Sequence, residues 1–141
     1  MTGRDFLRRV SGLDAIIVVK SRLLEKYVMR QGPCGARAAS YDATGIHGGT
    51  SQASAETVVN TLSGLRDDIL ALKAEISKAV WLIGKLQDLR ENEILTMRYL
   101  LHDSFEGIAD KIGYSLRHTF KLHRRAMENF EKIYSRHANG Q

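Results

Sequence analysis

Arg117, Lys121, Arg124 and Arg125 fall within residues 115–125, a stretch that contains no acid. A guanidinium presents paired N–H donors that match a phosphate or the O6/N7 edge of guanine, and an ammonium offers a compact charge to the same acceptors. On a helix, Arg117, His118, Lys121, Arg124 and Arg125 are expected to stand away from the apolar side. The net charge of +5 suits an anionic partner without requiring one. Position is more telling, because residues 88–141 nearly balance their charges while these four cations stand together.

Other chemistries find less support. His102, His118, His123 and His137 match no usual zinc spacing, and His118 and His123, five apart, do not share a helix face. His47 sits in a Gly-rich stretch and is expected to be solvated. No metal and no cofactor is expected. Cys34, the one cysteine, cannot close an internal disulfide and has no fixed histidine beside it in sequence to activate it as a nucleophile. The Gly-rich stretch lacks the Lys-Ser/Thr ending of a phosphate-binding loop, and Asp67 and Asp68 point to different helix faces. The chain is therefore not expected to be an enzyme. No apolar run reaches the roughly 20 residues of a membrane span, since Lys20 and Arg22 cut short Ala15 to Val19, and no cleavable leader pattern opens the sequence. A cytoplasmic protein without membrane association is the expectation.

The cationic segment needs a support that turns its face outward. Ser104 is a candidate N-cap for a short helix carrying Phe105, Ile108, Ala109 and Ile112. Gly113 supplies a left-handed turn, and Ser115 caps a longer helix with Thr119, Leu122, Ala126, Met127, Phe130 and Ile133 on its inner side. Ala109 is small where two helices must approach. Ahead of them, Asp88 and Glu91 form a capping-box pattern that opens a helix through Leu101. This is the layout of a helix-turn-helix, with a recognition helix over 115–136.

Two long helices are predicted upstream. Phe6, Val10, Leu13, Ile17, Leu24 and Tyr27 mark a helix over 4–30, with Lys20 at the missing apolar position. Leu62, Leu65, Ile69, Leu72, Ile76, Ala79, Ile83 and Leu86 alternate steps of three and four in a second helix over 54–86, a heptad stripe that must pack on another helix. Between them, residues 31–53 read as a Gly-rich connector. The expected fold is all-α: a long antiparallel, coiled-coil-like hairpin over 1–87 followed by a helix-turn-helix domain over 88–141. Val58, Val80, Trp81 and Leu82 widen the apolar surface beyond one seam, which predicts a homodimer.

ILTMRYL (94–100) followed by SFEGIADKIGYSLRHTFKLHRRAM (104–127) resembles region four of bacterial sigma factors. The layout as a whole is similar to small phage-encoded sigma-like transcriptional regulators of the ArpU-like and RinA-like groups. The resemblance covers residues 88–133, about a third of the chain. It implies that Ser115, Leu116, Arg117, His118, Phe120 and Lys121 lie at the DNA, with Leu116, Arg117, Phe120 and Lys121 facing base edges and Arg124 and Arg125 on phosphates. Phe120 and Leu116 depart from the pattern, which carries polar or basic residues there, so promoter preference does not transfer. The function implied is a sequence-specific regulator of phage or prophage origin that binds double-stranded DNA, the hairpin serving dimerisation or RNA polymerase contact. The alternatives are the DNA-recognition small subunit of a phage terminase and a polymerase-binding interaction module.

Overall fold

The computed structural model describes the backbone of residues 1–31 and 50–140, and the side chains of 1–29 and 55–140. Its secondary structure is helical throughout the described residues: α1 (Gly3–Gln31), α2 (Thr50–Ile83), α3 (Leu89–Leu95) continuing into a π turn (Thr96–Leu100), α4 (Phe105–Ile112) and α5 (Leu116–Asn139). The all-α expectation holds. The predicted connector falls, for residues 32–49, outside the described residues, and α2 begins at Thr50, four residues before the expected start at 54. Among the described residues no helix is long and apolar enough to cross a membrane.

The chain forms two compact units, Met1–Asp14 with Ala74–Gln141, and Ala15–Lys73. This division does not coincide with the expected boundary at 87/88. The start of α1 belongs with the C-terminal helices because it carries a dense apolar face: Leu7, Val10 and Leu13 are buried, and the Phe6 ring lies 5.2 Å from Tyr134. Its N-terminus is held twice. Thr2 and Asp5 cap it reciprocally, the Asp5 N–H donating to Thr2 Oγ1 and the Thr2 N–H to Asp5 Oδ2, both at 3.2 Å. The Gly3 N–H then donates to Glu131 Oε2 at 2.7 Å, so a carboxylate from α5 meets the positive end of α1.

The core of this first unit is built from Leu7, Leu82, Ile83, Ile94, Leu95, Ile108 and Phe130, all essentially inaccessible to water. Each is worth about 1.5–3 kcal/mol of burial, which is why short helices such as α3 and α4 hold their places. In the second unit Leu62, Leu65 and Ile69 are buried. Lys20, the polar break in the α1 stripe, places its ammonium 3.1 Å from Asp68 Oδ2, so the charge is compensated where an apolar residue is missing.

Candidate nucleic-acid interface

Three N-caps and a left-handed C-cap fix the geometry of the C-terminal helices. Asp88 accepts from the Arg90 N–H at 2.9 Å to open α3, and Ser104 accepts from the Gly107 N–H at 3.1 Å to open α4. Gly113 ends α4 at φ 73°, a left-handed conformation that costs an L-residue with a Cβ about 1–2 kcal/mol. The Tyr114 N–H reaches back to the Ala109 carbonyl at 3.1 Å and closes the turn. Ser115 then caps α5, its hydroxyl accepting from the His118 N–H at 3.1 Å. One turn on, the fully buried Thr119 donates its hydroxyl to the Ser115 carbonyl at 2.9 Å. The helix is thereby locked at its first turn, with Leu122, Ala126, Met127 and Phe130 buried beneath it.

Only one half of the expected capping box at α3 forms. Glu91 does not turn back to the Asp88 backbone; its buried carboxylate accepts from Arg125 Nε at 2.7 Å and from Asn129 Nδ2 at 3.0 Å. Arg125 also donates through Nη2 to Asp88 Oδ2 at 2.7 Å. The guanidinium expected on a phosphate is therefore engaged by two carboxylates of its own chain, and its first role is to pin α5 to α3.

The remaining expected positions divide clearly. Arg117, Lys121 and Arg124 are exposed and make no ion pair among the described residues, whereas Arg90 and Lys111 are paired with Glu93 and Asp103. His118 is exposed and sets its ring edge-on to Tyr114, centroids 4.7 Å apart. Leu116 stands at the surface, and Phe120 is 47% exposed while leaning on Phe105 at 4.7 Å. Ser115 keeps its hydroxyl in the cap. The first turn of α5 contains no acid, unlike those of α1, α3 and α4, so its positive dipole end carries Arg117 uncompensated. Beside this face runs a groove of about 440 Å³ lined by Asp88, Arg90, Tyr114, His118, Lys121, Leu122 and Arg125, its one carboxylate engaged by Arg125. Arg90 was not among the expected contacts. Its guanidinium sits 5.6 Å from the Tyr114 ring centroid, a meeting across 24 residues that no local pattern signals.

The histidines have separate surroundings. His102 Nε2 lies 3.2 Å from Asp14 Oδ2, His137 sets its ring against Trp81 with centroids 4.8 Å apart, and His123 Nε2 lies 3.0 Å from the Tyr99 hydroxyl. Burial pushes His123 down to about 4, aided by the Arg4 and Arg98 charges, so its imidazole is neutral at pH 7. His102 adopts φ 61°, where the chain turns out of the π turn toward α4. No protein-family model, no curated protein and no solved structure matches this chain.

Proposed function

We propose that the chain is a DNA-binding transcriptional regulator of the sigma-like phage or prophage type, with α5 laid into the major groove of duplex DNA. The observation that carries this reading is that Arg117, Lys121 and Arg124 share an exposed face and lack an ion-pair partner among the described residues, next to cations that are paired. Unpaired cations on the first three turns of a rigidly capped helix, with Arg117 at its positive dipole end, suit a polyanion. Arg117 is the candidate for bidentate readout of guanine, Lys121 reaches the next base step, and Arg124 contacts phosphate. Arg125 belongs to the scaffold in this reading, with its outer N–H groups at the groove edge.

The second unit supports dimerisation. Ile16, Val19 and Leu23, at steps of three and four on α1, are 44%, 65% and 40% exposed. Such a stripe is suited to a second copy of the chain. A second reading draws on Leu116 and Phe120, apolar and exposed on the face that would meet DNA: there α5 docks on an acidic protein surface, such as one of RNA polymerase.

Selection of bound duplexes from a random pool, followed by transcription from the recovered site, tests the regulator reading. Enrichment of one motif with altered transcription supports it. Enrichment without a transcriptional effect, accompanied by ring-sized oligomers in native mass spectrometry, selects the DNA-packaging alternative. No duplex binding at low salt, with capture of polymerase, selects the protein-docking reading.

A further inference from the structure

A cleft of about 450 Å³ opens in the first unit between the first turns of α1 and the corner where the π turn meets α4. Its lining includes Arg8, Ser11, Arg98, His102, Phe105 and His123. Arg8 is exposed and makes no ion pair among the described residues. Arg98 is held rather than free to swing: its guanidinium carbon lies 4.3 Å from the Phe105 ring centroid, and Nη1 donates to the Asp103 carbonyl at 3.2 Å. The carboxylates adjoining this lining have other engagements, Asp14 with His102 at 3.2 Å and Asp103 with Lys111 at 2.9 Å.

The geometry points to a binding site for a phosphoryl group in this cleft, with Arg8 of α1 as its decisive ligand, facing Arg98. Two guanidinia from separate elements offer N–H forks from two directions, while the Ser11 hydroxyl donates to the Arg8 carbonyl at 2.7 Å and His102 Nε2 is taken by Asp14. A tetrahedral oxyanion has enough acceptor oxygens to meet both forks, whereas the two oxygens of a carboxylate are filled by one. His123 is lowered first by burial and then by the Arg4 and Arg98 charges, so the imidazole at the cleft wall senses the cationic surroundings.

Two sources supply this chemistry. One is a backbone phosphodiester of bound duplex, since the Phe105 of the cleft also touches Phe120 on the outer face of α5; this arm rests on the proposed function. The other is a free phosphate monoester.

The test uses the full chain and Arg8→Gln, a change at an exposed side chain that leaves the core intact. Histidine NMR is followed on adding inorganic phosphate, and duplex affinity is measured against salt. If the cleft takes a free phosphoryl group, phosphate shifts the His123 resonance saturably and raises its pKa, and Arg8→Gln weakens that binding at least tenfold. If it takes backbone phosphate, Arg8→Gln lowers the slope of log K against log salt by about one. Either result supports the site. The absence of both a phosphate response and a slope change overturns it, and if duplex binding still depends on Arg117 and Lys121 then only the cleft is lost.

Discussion

Glu91, buried on α3, accepts the Nε–H of Arg125 from α5 at 2.7 Å, and Asn129 Nδ2 bridges both oxygens of the same carboxylate at 3.0 Å. This contact separates the cations that hold the unit together from those available to a partner. Removing Arg125 leaves a buried carboxylate short of a donor, at a cost of about 1.5–3 kcal/mol. Arg117 is exposed and makes no ion pair among the described residues, and Arg117→Ala is expected to stay within about 0.5 kcal/mol of the parent. Urea denaturation of the two variants checks the contrast.

The docking of α1 depends on the absence of a side chain at Gly3. A Cβ there would lie 2.9 Å from Glu131 Oε2, 3.1 Å from Phe130 Cδ1 and 3.2 Å from Tyr134 Cβ. Gly3→Ala must push α1 away from α5 or distort the Glu131 cap, so a loss of about 1–3 kcal/mol is expected. Hydrogen exchange should speed up in the first turns of α1 while α4 stays protected.

The turn between α4 and α5 carries two local demands that can be tested separately. Ser115→Ala removes the α5 cap and is expected to cost about 1 kcal/mol. Gly113→Ala places a Cβ at φ 73° in otherwise open space, and about 1–2 kcal/mol of backbone cost follows. Thermal unfolding reads both.

Acid sensitivity should report on His123. Its folded-state pKa of about 4 lies below its ordinary 6.5, so the unfolded chain takes up the proton first as pH falls. This group therefore contributes full stability above about pH 6.5, loses it progressively between 6.5 and 4, and adds no further dependence below that. His123→Gln is expected to remove this component, flattening stability against pH in that window relative to the parent.

The sequence made the local grammar of the C-terminal helices legible. Ser104, Gly113 and Ser115 act where their types dictate, because caps and left-handed turns are decided within a few residues. The apolar stripes of α1 and α2 were legible for the same reason, as helical periodicity needs no partner to be seen. What escaped was contact at long range. Nothing near Glu131 announces that it meets Gly3, 128 residues away. Asp88 and Glu91 look like a complete capping box until Arg125 and Asn129 arrive from α5. At the candidate site, exposure of Arg117, Lys121 and Arg124 followed from helical phase, but the engagement of Arg125 depended on which acids lay opposite.

Binding of duplex DNA by the unpaired cations of α5, as proposed, has a direct readout in the salt dependence of duplex affinity. Each phosphate contact lowers the slope of log K against log salt by about 0.9, and a bidentate base contact is worth about 1–3 kcal/mol. For a duplex recovered by selection, the parent should show a steep negative slope. Arg124→Ala should make it shallower by about one contact, while Arg117→Ala with Lys121→Ala should cost at least tenfold in affinity and erase preference for the selected motif. An affinity and slope unchanged by all three substitutions would mean that this face of α5 does not bind DNA.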